Sequence, residues 1–75
     1  MSEQRILVQV QFTYEEFRPF YEGRAKEVVA PSLDGRYIRF PASALRPFLT
    51  HNGISGVFAL KFDKKNKLIS TDRIK

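Results

Sequence analysis

Apolar residues recur at every second position from Ile6 to Phe12, with Leu7 the one apolar residue among those between. Ile6, Val8, Val10 and Phe12 fall on one side, and Arg5, Leu7, Gln9 and Gln11 on the other. A period of two predicts a half-buried strand. Thr13 then opens a Thr-x-x-Glu box that Glu16 closes. In such a box the hydroxyl takes an orphan amide and the carboxylate reaches back, so it marks a helix start. Glu15 and Glu16 also lie at the positive end of the helix dipole. The spacing of Phe17, Phe20 and Tyr21 predicts a short helix over 14–21 with one apolar face. Pro19 should bend or shorten that helix, and Gly23 supplies a left-handed stop.

Ala25 to Ala30 reads as a second strand, and Asp34-Gly35 is a strong hairpin signal. Arg36 to Phe40 returns, with Ile38 and Phe40 on one face and Tyr37 and Arg39 on the other, and Pro41 closes it. Ser43 is placed to cap a second short helix reaching about His51, with Leu45, Phe48 and Leu49 inward. Pro47 falls near its first turn, and Asn52-Gly53 ends it. Gly56 to Phe62 forms a fourth strand with Phe58, Leu60 and Phe62 inward. Asp63 to Asn66 forms a polar turn, and Leu68 to Ile74 a fifth, less cleanly patterned strand. The expected fold is α+β, with about five mostly antiparallel strands and two short helices on one face, in the order β-α-β-β-α-β-β.

Phe17-Arg18-Pro19-Phe20-Tyr21 is echoed by Leu45-Arg46-Pro47-Phe48-Leu49, each copy following a strand that ends in phenylalanine. The echo suggests two strand-helix-strand units. The spacings from Phe12 to Ala25 and from Phe40 to Gly56 just reach the roughly 10–12 residues of a parallel crossover. A ferredoxin-like plan therefore competes with a curled, mainly antiparallel sheet.

Composition narrows the chemistry. Seventy-five residues form one domain, 1–75, and leave no volume for a large enclosed active site. The absence of cysteine rules out a disulfide framework, a zinc finger and a thiol nucleophile. His51 is the only histidine, and its expected place at a helix end explains it without catalysis. Glu15 and Glu16 are explained by capping, no serine stands in a Gly-x-Ser-x-Gly setting, and each glycine is explained by a turn or cap. No catalytic residue, metal site or cofactor is expected, and the chain reads as non-enzymatic. The N-terminus lacks the apolar core of a secretory signal, and no apolar stretch approaches the roughly 18 residues of a membrane span. A cytoplasmic address without membrane contact is the expectation.

Charge adds a partner question. Thirteen basic residues against eight acidic ones give +5, with residues 1–31 at −1 and residues 32–75 at +6. A basic half suits a polyanion or an acidic protein, and it equally keeps a small surface soluble. Arg36, Tyr37 and Arg39 combine cations with an outward ring, and Lys61 and Arg73 are placed to extend that face. Lys64, Lys65 and Lys67 add a basic turn. The run Ser55 to Phe62 lacks the outward aromatic pair of an RNA-recognition strand. Leu7, Tyr37, Val57 and Ala59 share the parity opposite the core, where polar groups are usual, and together suggest an apolar patch. The leading expectation is a small binding or adaptor module acting through its outer sheet face, toward a protein partner or a second copy. The alternative is nucleic-acid binding through the basic and aromatic residues.

Asp34-Gly35-Arg36, Pro41-Ala42, Leu45-Arg46-Pro47-Phe48 and Gly53-Ile54-x-Gly56-x-Phe58, with Tyr21-x-Gly23 before them, form a specific combination. It resembles the domain-of-unknown-function family 2835, short proteins found mainly in gammaproteobacteria. The resemblance covers most of the chain and implies a bacterial, single-domain protein. It implies no activity and no site residues.

Overall fold

The computed structural model describes residues 4–75; the leading Met-Ser-Glu, read above for a targeting signal, lies outside them. The alternation at the start of the chain produces strand β1 (Gln4–Phe12), which buries Ile6, Val8 and Val10. Its capping box is formed as expected. The Glu16 amide donates to Thr13 Oγ1 at 3.0 Å, and the Thr13 amide donates to Glu16 Oε1 at 2.8 Å. Helix α1 (Tyr14–Tyr21) follows. Pro19 brings no amide, and the helix stops two residues later with Gly23 at φ +84°. Phe17 is fully buried and stacks with Phe12 and Phe20, at centroid separations of 5.9 and 5.4 Å. Tyr21 departs from the expected inner face and is exposed.

Strands β2 (Glu27–Pro31) and β3 (Tyr37–Pro41) form a hairpin that turns Val28, Ala30 and Phe40 inward. The Ser32 amide donates to the Arg36 carbonyl at 2.7 Å and the Gly35 amide to the Ser32 carbonyl at 3.2 Å, with Gly35 at φ +92°. This is a three-residue loop closed by a left-handed residue rather than a two-residue turn. The later hairpin closes in the same way. Asp63 bonds the Lys67 carbonyl, Asn66 bonds the Asp63 carbonyl, and Asn66 takes the left-handed φ of +65°.

The second helix does not form as expected. Ala42–Ala44 and Arg46–Phe48 are two separate 3-10 turns, and Ser43 makes no capping bond. Pro47 is the cause: it cannot donate to the Ser43 carbonyl, its ring crowds that carbonyl, and it disfavours helical geometry at Arg46. Tighter i to i+3 bonds replace the helix, from Leu45 to Ala42 and from Phe48 to Leu45, both 2.9 Å. Leu45 is still buried as expected, and Phe48 meets Phe58 edge-on at 5.0 Å. His51 lies in the exposed Thr50–Gly53 turn rather than at a helix end. The echoed segments keep matching burial, Phe17 with Leu45 and Phe20 with Phe48, and they touch where Arg46 lies 5.3 Å over the Tyr21 ring.

Strand β4 (Ile54–Phe62) runs antiparallel to β1 along its whole length, from Gln4 opposite Phe62 to Phe12 opposite Ile54. Strand β5 (Leu68–Arg73) pairs with the other edge of β4. The β2–β3 hairpin hangs on the free edge of β1 through a Val8–Ser32 bridge and a 2.9 Å bond from the Leu33 amide to the Leu7 carbonyl. The layout is therefore the mainly antiparallel one, a β1-β4-β5 sheet and a separate β2–β3 hairpin joined to β1 by an isolated bridge, and the parallel crossover plan is set aside. An eight-residue helix covers only about 12 Å, against roughly 30 Å for a nine-residue strand. The concave side holds one core of Ile6, Val8, Val10, Phe17, Phe40, Leu45, Ile54, Phe58, Leu60 and their neighbours. The expected α+β architecture of five antiparallel strands with short helical segments is the one observed.

Candidate binding faces

Two surfaces emerge from the parity of the strands. The first is the convex side of β1, β4 and β5. Leu7 stands opposite Ala59 and Gln9 opposite Val57, and β5 adds Asp72 beside Ala59. The Ile74 amide donates to the Val57 carbonyl at 2.7 Å, which carries Ile74 alongside Val57. At the other end, the Leu33–Leu7 backbone bond sets Leu33 beside Leu7. An apolar band thus runs from Leu33 in the β2–β3 turn through Leu7 on β1 and Ala59 and Val57 on β4 to Ile74, just past β5. Leu33 is 56% and Ile74 44% exposed, Leu7 and Val57 are half-buried, and the small Ala59 is buried between larger neighbours. Beside the band Arg5 faces Lys61 across β1 and β4.

Arg36 stands at the rim of this face, where it shares a shallow hollow with Arg5, Leu7, Leu33 and Asp34. Its guanidinium lies 2.9 Å from Asp34 Oδ2, and the Ser32 hydroxyl also donates to Asp34. The hydrogen bond from Arg36, with that from Ser32, holds the Asp34 carboxyl down at about 2.

The second surface is the solvent side of the β2–β3 hairpin, where Tyr37 and Arg39 project from β3 opposite Pro31 and Val29. Tyr37 is 77% exposed, more than any other large apolar side chain among the described residues. A groove of about 210 Å³ separates this edge of β3, with Tyr37, Ile38 and Arg39, from Gln4, Phe62 and Asn66. Asn66 belongs to the turn that carries Lys64, Lys65 and Lys67, all exposed.

The seven residues singled out from the sequence therefore do not form one site. Leu7, Val57 and Lys61 share the convex face with Arg36 at its rim, and Tyr37 and Arg39 stand on the hairpin. Arg73 joins neither. A register irregularity between Lys61 and Phe62 switches the parity of β5, so Arg73 stands opposite Phe58, on the core parity. From there it straps the strand edge, donating to the Ser55 carbonyl at 2.9 Å and the Lys75 carbonyl at 3.0 Å. Tyr37 is likewise separate from the Leu7–Val57 patch, because it sits in the other sheet. Leu33 and Ile74 were missed as members of the convex face, and Arg5, read on the same side as Leu7, was not counted among the site residues. Leu33 did leave a signal: it is an apolar residue in a turn whose other members are polar.

Among the described residues no group of three His, Cys, Asp or Glu is placed to hold a metal ion, and no helix is long and apolar enough to cross a membrane. The model of a family described as a protein of unknown function, DUF2835, matches residues 4–74. The chain belongs to that family. No curated protein and no solved structure matches it. The DUF2835 match takes in the apolar band, the Tyr37 groove and the lysine turn alike, so both faces lie within what the family describes.

Proposed function

We propose that this DUF2835 protein is a non-enzymatic binding module that takes a protein partner on the convex face of β1, β4 and β5. The observation that carries the reading is the apolar band Leu33–Leu7–Ala59–Val57–Ile74. The solvent side of an antiparallel sheet is ordinarily polar, and contiguous apolar surface in such a place marks contact sites. The exposed parts of Leu33, Leu7, Val57 and Ile74, on segments about 4.8 Å apart, make a band of roughly 200–300 Å², well below the ~800 Å² a partner buries in a stable interface. The band therefore suits a transient contact that spreads onto its rim. Arg5 and Lys61 stand opposite each other there, and the basic character they give the rim suits an acidic partner. The bacterial, cytoplasmic setting expected from the sequence belongs to the same proposal.

The test uses immobilised wild-type protein and Leu33→Asp, an exposed position where folding is not at stake, to recover partners from cells that express the protein. A partner held through the band survives raised salt and is reduced at least about tenfold by a buried charge. Equal recovery by both proteins overturns the reading.

A further inference from the structure

We propose that the groove beside Tyr37 binds single-stranded nucleic acid. This inference shares no residue with the convex face and stands apart from the reading above. Tyr37 presents a ring to solvent at the edge of the molecule, and nothing in the core calls for it, because Ile38 and Phe40 already turn inward from the same strand. Two residues on, Arg39 lies on the same face, 3.8 Å from Glu27 in an exposed and weak pair. Across the groove, Gln4 and Asn66 bring amides that both donate and accept.

The turn that holds Asn66 adds three lysines in four residues. Its one carboxylate, Asp63, is occupied within the turn, where Oδ1 accepts from the Lys65 and Lys67 amides at 2.9 Å each. The three lysine side chains are exposed, on the same turn as the Asn66 that lines the groove.

An exposed aromatic ring beside cations that track a backbone is the arrangement that stacks one base and neutralises the phosphates on either side. The ligand is a single strand rather than a duplex because the ring needs an open base face, and in a duplex those faces are already stacked. Amide groups at the groove wall reach the edge of a stacked base without selecting one sequence strongly. A generic acidic peptide would use the lysines and leave Tyr37 without a role.

The experiment is fluorescence anisotropy with labelled oligo-uridine and oligo-thymidine of about 12 nucleotides, and a duplex of the same length, at about 50 and 200 mM salt. Four phosphate contacts, from Arg39, Lys64, Lys65 and Lys67, give a log–log salt slope of about −2.8, so single-strand affinity falls about 50-fold between the two conditions. Tyr37→Ala weakens binding about 5- to 150-fold at an unchanged slope, and Tyr37→Phe retains it. The triple variant Lys64→Ala/Lys65→Ala/Lys67→Ala flattens the slope to about −0.7. All four positions are exposed, so circular dichroism should report an unchanged fold. Three results overturn the proposal: no anisotropy change at the lower salt, equal binding by Tyr37→Ala and wild type, or a duplex bound as tightly as the single strand.

Discussion

Gly53 lies where the chain turns beneath the end of β1, with φ at +98° and a side-chain position that would run into the Phe12 carbonyl and the Thr13 backbone. Gly35 has a similar φ of +92°, yet nothing stands within 4 Å of where its Cβ would be. The two positions separate conformational strain from collision. Gly35→Ala should cost about 1–2 kcal/mol, the left-handed penalty alone. Gly53→Ala should cost clearly more, because β1 cannot retreat from β4 without breaking the ladder. Urea unfolding of the two variants checks the order, and equal losses would refute the collision. Asp34 makes a second prediction at this scale. Its folded pKa, about 2, lies below the ordinary 3.8, so its contribution is fully present above about 4 and is lost as pH falls toward 2. Asp34→Asn should therefore show a shallower loss of stability across pH 4 to 2 than the wild type, in urea melts at each pH.

At the scale of elements, α1 is written in the sequence because its start is local chemistry. Thr13 and Glu16 need only each other, and the helix takes the range their box implies. Thr13→Ala should lower stability by about 1 kcal/mol, read from the urea midpoint at constant slope. Ala at Glu15, which makes no capping hydrogen bond and only an exposed 3.5 Å pair with Arg18, should cost less. The segment after Pro41 was less legible because two signals conflict there. Apolar spacing at Leu45, Phe48 and Leu49 favours a helix, while Pro47 withdraws one bond and crowds a carbonyl. The outcome keeps Leu45 buried and gives up the helix, so the core residue was readable and the element was not. Strand β5 failed differently. Alternation from Leu68 puts Arg73 outward, but a single irregularity beside Phe62 reverses the parity, and nothing in the local pattern announces it. One slipped residue was enough to remove Arg73 from the site it was expected to join.

For the molecule as a whole, alternation separated the inside from the outside but could not say which outsides are neighbours. Leu7 and Val57 share a face because β1 pairs with β4 residue for residue, whereas Tyr37 leaves them because its hairpin is a separate sheet, hydrogen-bonded to β1 around Ser32 and Leu33 rather than along a strand. That uneven pairing predicts uneven local stability. Strand β4 is hydrogen-bonded on both edges and carries Phe58 and Leu60 into the centre of the core. Strand β3 is bonded on one edge alone and ends in Pro41. Amide exchange should therefore be slowest along β4 and the β1 amides that face it, opening only with global unfolding. The β2–β3 hairpin should open at a lower free energy, as a unit of its own. Hydrogen exchange followed by NMR tests this residue by residue, and uniform protection across both sheets would contradict it. The gradient bears on the two binding faces. The middle of the convex band, Leu7, Ala59 and Val57, is built on the strands that open last and meets a partner as a rigid surface, while Leu33 at its end rides on the hairpin turn. The Tyr37 groove has one wall on β1 and β4 and the other on the hairpin, so its ring is mounted on the part of the fold with most freedom to adjust to a strand. A ligand in that groove should raise protection in β3 more than in β4.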